Sequence, residues 1–326
     1  MFSPNIFNQG QLTHRIPIGI SQCLLGEKVR FDGGHKHSKL CTQQLGQYFD
    51  YIPSCPELGA GLGVPRRTLR MVGDDQSQRV VETRDNQIDV TDLLADYSTR
   101  RIEELANLSG YIFMQKSPSC GVFRVKVYAD NGYAQHSSPG IFAKAFKEKY
   151  PLVPVEEEGR LHDPVLLENF LVRVVVYHHW RILMEEGLTP KKLIKFHQSI
   201  KYQLMAHSIE GYKHTGKLLS NLKEKIIEEI AQEYITALMG HLEKRATRKT
   251  HTNALLHIRG YFKGKLSKLE QQELSQVIDD YRSGVIPLVV PITLLQHYTR
   301  KLGCEYIEQQ LYLQPYPHKL GLRNGI

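Results

Sequence analysis

The first half of the chain alternates short apolar runs with amphipathic stretches, and the pattern changes near residue 190. IPIGISQ (16–22) is apolar enough for a buried strand and ends at Cys23. A helical pattern follows over 39–49, and DYIPSC (50–55) runs into a second cysteine. VVETRDNQIDV (80–90) reads as extended. DLLADYSTRRIEELANL (92–108) has apolar residues at helical spacing behind Thr91, a fitting N-cap. GYIFMQK (110–116) is another buried strand and leads into SPSCG and a third cysteine. Strand, loop and helix in repetition predict a Rossmann-like α/β domain with a mainly parallel sheet. In such sheets ligands bind at the carboxyl ends of the strands. Cys23, Cys55 and Cys120 each follow a strand-like run, where a shared site would be built.

Ser138-Pro139 and Asp163-Pro164 have the form of helix starts, a capping residue followed by proline. PVLLENFLVRVVVYHHWRILMEE (164–186) predicts a long helix that closes the first domain, and Gly187-Leu188-Thr189-Pro190 breaks it. The expected domains are therefore 1–188 and 189–326. Beyond the break the spacing predicts helices over 191–208, 218–242, 253–262, 271–283 and 293–301, with one short β-like stretch at 286–290. The second domain reads as an all-α helical domain. The most apolar run, 285–295, contains two prolines and is too short for a membrane span of about 20 residues. MFSPNIFNQGQLTHR, at the start, lacks the apolar segment of a secretory signal, which points to a cytoplasmic protein.

Composition adds little except in its charge. Of 326 residues, 41% are hydrophobic and 23% charged, a balance that sets disordered, collagen-like and disulfide-scaffold classes aside. The net charge of +8 is one-sided. Residues 1–190 hold 21 Lys and Arg against 22 Asp and Glu, whereas 191–326 hold 21 against 12. A basic excess confined to one domain suits a polyanion such as nucleic acid, or simply a basic solvated bundle.

Five cysteines without a secretory signal argue against structural disulfides. None forms a CxxC pair. Three sit in tight turns: SQCLLGEKVRFDGG at Cys23, CPELGAGLGVPR at Cys55 and KSPSCG at Cys120. Such turns expose backbone N–H groups to a thiolate. Soft thiolates select zinc, copper(I) or iron–sulfur clusters, and three ligands leave one coordination position open. Cysteines packed as small hydrophobes are the plain alternative, and Cys41 and Cys304 are assigned to it.

These three motifs, in this order, resemble the DUF523 family, which includes the 2-thiouracil desulfidases, over roughly residues 16–160. KFHQSIKYQLMAHS (195–208), HIRGYFKGKLS (257–267), YRSGVIPLVVPITLLQHY (281–298) and PYPHKLGLRN (315–324) resemble the DUF1722 family. Chains combining both are similar to the two-domain desulfidases that remove sulfur from 4-thiouridine in tRNA. The resemblance implies a [4Fe–4S] cluster held by Cys23, Cys55 and Cys120 with one iron open as a Lewis acid, and a non-redox hydrolytic removal of sulfur. It implies Glu57 as proton handler and Ser117 as a proton-relaying or substrate-orienting hydroxyl. The expected substrate is tRNA carrying thiolated uridine, or a free thiolated uracil or nucleoside. No obligate protein partner is implied.

The residues themselves fit these roles. Glu57 lies two positions after a cysteine and Ser117 three before one, so both can face the same pocket; a turn-capping carboxylate and a local turn hydrogen bond are the plain alternatives. Asp32 suits a loop-anchoring role. Arg66 and Arg67 suit either a phosphate or a surface ion pair. GAGLG (59–63) is not a dinucleotide loop, because it follows CPE rather than a strand and runs into Pro65. His178 and His179 read as packing residues. In the second domain Lys244, Arg245, Arg248, Lys249, Arg259, Lys263, Lys265 and Lys268 face a single acid, Glu243, over 241–268. These are the candidate RNA contacts, whereas Tyr261 and Phe262 complete an apolar stripe. Lys195, His197, Lys201 and His207 are spaced to fall on neighbouring helical faces. A non-catalytic RNA-binding or redox-sensing protein and a Cys₃ zinc site are the rival readings.

Overall fold

The computed structural model describes residues 7–8, 11–12, 15–74, 77–129, 132–222, 224 and 226–326. The strands β1 (Phe7–Asn8) and β2 (Gln11–Leu12) form a small antiparallel pair. The rest divides into two compact units, 15–162 and 163–326.

Residues 15–162 form the expected α/β domain. β3 (Ile16–Ser21), β4 (Phe49–Ser54), β7 (Tyr111–Phe113) and β10 (Val155–Glu157) make a wholly parallel sheet in the order β10-β7-β3-β4. The apolar runs dictate this: Ile16, Ile18 and Ile20 and the whole of Tyr111–Phe113 are buried, as strands covered on both faces require. Gly19 is needed where β3 passes β7, because a Cβ there would stand 2.2 Å from the Tyr111 ring. The 39–49 pattern yields only one wide helical turn, Leu40–Leu45.

A second sheet lies between β4 and β10 in sequence and was not expected as such. It holds β5 (Leu69–Gly73), β6 (Gln78–Glu82), β8 (Val125–Tyr128) and β9 (Ala134–Ser138), in the order β6-β5-β8-β9. Of the helices, α1 (Pro56–Gly59) is a single turn, α2 is Thr91–Glu104 and α3 is Ile141–Lys149. Thr91 is the first residue of α2 rather than its cap; its Oγ1 accepts from the Val80 amide and ties the helix to β6. Ser138 ends β9, and Gly140 precedes α3 instead.

Residues 163–326 are helical. The elements are α4 (Pro164–Glu185), α5 (Pro190–His207), α6 (Ile209–Ser220), α7 (Ile227–Leu242), α8 (Arg248–Arg259), α9 (Lys268–Ser283), α10 (Val289–Leu302) and the short α11 (Glu305–Glu308). Asp163 caps α4 through the amides of Val165 and Leu166. The expected boundary at 188 moves to 162: α4 packs on α5 and α7 within the helical unit. The β-like 286–290 forms no strand and leads into α10, with Pro291 in its first turn. The 218–242 pattern is split between α6 and α7. At the core of this unit the buried Glu168 carboxylate accepts from Tyr316 Oη (2.9 Å) and Arg323 Nε (3.1 Å), joining α4 to the 316–323 segment. Among the described residues no helix is long and apolar enough to cross a membrane.

Candidate active site

Cys23 lies just beyond β3, Cys55 just beyond β4, and Cys120 in the segment after β7. These are three adjacent parallel strands, so three cysteines 32 and 65 residues apart in sequence reach the same sheet edge. They line one cavity of about 420 Å³ together with Glu57, Arg66 and Ser117, a size within the range of small-molecule sites.

The thiols are protonated at neutral pH. Burial, then the neighbouring Cys55, pushes Cys23 up to about 11. Burial and Cys55 likewise hold Cys120 far above the usual thiol range. Cys55 is also raised by burial, against the pull of the Leu58 and Glu57 amides at the start of α1. Three mutually repelling buried thiolates need a cationic centre, and binding one would release their protons. Among the described residues no three His, Cys, Asp or Glu side chains are arranged for a single metal ion. A lone zinc draws each sulfur to about 2.3 Å from one point. Three soft thiol donors at one cavity suit zinc, copper(I) or an iron–sulfur cluster alike. Cys41 is fully buried outside this cavity, and its thiol is pushed up to about 12 by burial. Cys304 packs at the edge of the helical core.

Glu57 is the hub of the polar side. Its Oε2 accepts from Arg66 Nη2 (2.5 Å) and Nε (2.9 Å), and its Oε1 accepts from Ser119 Oγ (3.0 Å) and Ser117 Oγ (3.3 Å). Arg66 is in turn fixed by the carbonyls of Val29 and Gly63, both 3.0 Å from Nη1. Ser117 Oγ accepts from the amides of Ser119 and Cys120, so the hydroxyl and the cysteine share one turn. The buried carboxylate of Glu157 on β10 braces that turn by accepting from the Val122 and Phe123 amides.

The structure thus brings together all five of the expected α/β residues, Cys23, Cys55, Cys120, Glu57 and Ser117. Of the two arginines, Arg66 belongs to the site, while Arg67 is an exposed surface partner of Glu82. Asp32 has the loop role: it accepts from the Gly34 amide and stands outside the cavity. No helix follows GAGLG, in line with its exclusion as a dinucleotide loop. Sequence reasoning missed Ser119 and three cations at the cavity, Arg30, Lys36 and Lys116. Lys116 and Ser119 lie inside the KSPSCG motif, but no sequence signal gives a side chain's direction. Lys116 adopts φ 61°, a left-handed conformation unusual for a residue with a Cβ, of the kind found at functional sites.

In the helical unit the candidate RNA residues separate. Arg245, Lys249, Lys263, Lys265 and Lys268 are exposed, and Lys244 is exposed beside Glu210. Arg248 is structural: its Nη1 donates to the Tyr281 and Ile286 carbonyls and the guanidinium lies 4.6 Å from the Tyr281 ring. Arg259 donates to Ser275 Oγ. Lys195 is half-buried, while His197 and His207 are buried, as is His179. Phe262 is buried as expected, whereas Tyr261 is partly exposed.

A parallel α/β domain with convergent thiols, an ion-paired carboxylate and paired hydroxyls at its strand ends is built for chemistry at a soft centre. Two family models match the chain, one over each domain. Residues 18–158 match the model described as 2-thiouracil desulfurase, and 201–317 match DUF1722, a family of unknown function. The α/β domain is thus similar to the 2-thiouracil desulfurase family, and the helical domain to DUF1722. The Escherichia coli (strain K12) protein YbgA, itself uncharacterized, is 28% identical over 159 residues, 48% of this chain and 94% of that protein. The solved [4Fe–4S]-dependent thiouracil desulfidase TudS is 24% identical, covers 45% of this chain and 94% of its own, and superposes with a TM-score of 0.37.

Proposed function

We propose that this chain hydrolyses the thiocarbonyl of 4-thiouridine in tRNA to a carbonyl, with a [4Fe–4S] cluster held by Cys23, Cys55 and Cys120. The observation that carries the reading is the convergence of these three thiols with Glu57 and Ser117 on one cavity. Bound through three cysteines, the cluster supplies an open Lewis-acid position for a thione sulfur.

The chain's own residues supply the proton chemistry. Glu57 Oε1 faces two hydroxyls and can take a proton from water directly or through Ser117. The water oxygen adds to the ring carbon, the carbon–sulfur bond breaks, and the sulfur keeps the bonding pair. Glu57 returns its proton to the sulfur and takes that of the added hydroxyl as the carbonyl forms, then passes it to the departing hydrosulfide, so thione plus water becomes carbonyl plus hydrogen sulfide with no electron exchanged. Arg66 holds the second carboxylate oxygen still, which aims the first. Arg30, Lys36, Arg66 and Lys116 outnumber Glu57 around the cavity. Lys36 and Lys116 have no carboxylate partner among the described residues. That charge favours a phosphate-bearing substrate over a neutral free base. The +9 excess of residues 191–326 favours a polyanion.

Anaerobic reconstitution with iron and sulfide, followed by thiolated tRNA and separately the free nucleoside, tests the reading. Loss of near-ultraviolet thione absorbance from the tRNA supports it; loss from the nucleoside alone makes the chain a small-molecule desulfidase. Cys23→Ser, Cys55→Ser and Cys120→Ser should each lose the cluster's visible absorption and bound iron, while Cys41→Ser keeps both. A full cluster in Cys120→Ser overturns the ligand assignment.

A further inference from the structure

The helical unit has a second concavity that its own packing leaves unused. Around α5, α6 and α8, Lys201, Tyr202, Tyr212, Lys213, Asn253 and His257 line a cavity of about 220 Å³. Its walls are aromatic. Tyr212 lies parallel to His197, 6.3 Å away and 9° from coplanar. Behind Tyr202, Tyr261 stands edge-on at 6.4 Å and stacks on Tyr306 at 5.4 Å.

Lys201 sits among these rings. Its Nζ is 4.7 Å from the centre of Tyr202 and 5.3 Å from that of Tyr306, and among the described residues no carboxylate pairs with it. Burial works against its charge, but the Tyr306 hydroxyl and the phenols of Tyr261 and Tyr212 more than offset that, so the ammonium persists.

A cation among π faces, beside an exposed second lysine, an amide and an imidazole, matches one kind of ligand well. A nucleobase offers a flat face to stack, exocyclic groups for Asn253 and His257, and an attached phosphate for the lysines. The cavity is smaller than the roughly 300 Å³ at which drug-sized pockets begin, which suits a single ring system. It also lies in the unit that carries the basic excess.

We propose that this cavity takes one unpaired nucleobase of an RNA, stacked on Tyr212 with its flanking phosphate beside Lys201 and Lys213. The inference rests on the reading of the chain as an RNA-acting enzyme and adds the site by which the helical unit would select unpaired over paired RNA.

Its test is binding alone, with the full chain. Fluorescence anisotropy would follow a short labelled RNA single strand without thiolated bases, and a blunt RNA duplex of equal length. Tyr212→Leu and Lys201→Met should each weaken single-strand binding about tenfold, the scale of one base–aromatic stack. Duplex affinity should change by less than about twofold, since its backbone attraction is spread over many charges. Tyr212→Phe should retain binding. Parental single-strand affinity in both variants, equal losses on both RNAs, or a Tyr212→Phe as weak as Tyr212→Leu overturns the proposal. If Tyr212→Leu melts early, Lys201→Met carries the test. Failure of the desulfidase reading shows separately, as persistent thione absorbance in the parent protein, and leaves these affinities as they are.

Discussion

Glu57 gives its two oxygens different work: Oε2 is pinned by Arg66, while Oε1 faces Ser117 and Ser119. Glu57→Gln should therefore keep bound iron and lose about 10²–10⁴-fold in turnover, the usual weight of a positioned acid–base group. Arg66→Lys keeps a charge but not the fork that also grips Val29 and Gly63. It should lower kcat about tenfold with little change in iron content, and the two readouts together check it. The carboxylate and the cysteines were legible because each stands in a turn motif beside a strand end. The Arg66 contact was not, because it depends on the turn between 57 and 66. Histidines give a separate residue-scale outcome. Burial holds His179 down to about 3 and His197 down to about 4. Both are neutral when folded, whereas the unfolded chain protonates them near 6.5. Stability is thus complete above about pH 6.5 and falls as pH drops from there towards 4 and 3. By pH 5 the loss is about 2 kcal/mol for each histidine. Urea midpoints at pH 7.5 and 5 should show it, and His179→Phe should shrink the difference.

At the scale of elements, one parallel sheet delivers the whole site, and its apolar strands announced it. Gly19→Ala should be felt there: the added Cβ meets the Tyr111 ring. The cost should be about 1–3 kcal/mol, the range for overpacking, read as a lower urea midpoint. The second sheet was hidden because its central pair joins Met71 to Val127 and Val72 to Tyr128, far apart in sequence. The helical elements were readable from periodicity, except where local composition misled. The 286–290 stretch is rich in β-branched residues, yet prolines at 287 and 291 frame a helix start.

For the whole molecule, the charge asymmetry was visible in the sequence but the domain boundary was not. A long apolar helix does not reveal which core owns it, and α4 sides with α5 and α7. Structure also sorts the basic run into exposed members and members committed to the helical core. Replacing Lys244, Arg245 and Lys249 with Gln, while leaving Arg248 on the Tyr281 carbonyl, should weaken tRNA binding without lowering the melting temperature. The slope of log K against log salt should become shallower by about 0.7–0.9 for each phosphate that is no longer neutralised, as binding isotherms at several ionic strengths would show.

Because the three cysteines come from the ends of β3, β4 and β7, no short stretch of this polypeptide can grip an inorganic centre by itself. A zinc finger gathers its ion while it folds; here the strands have to be laid side by side before the sulfurs meet. A cluster held as proposed would thus be loaded late, into a cavity that the fold has already built.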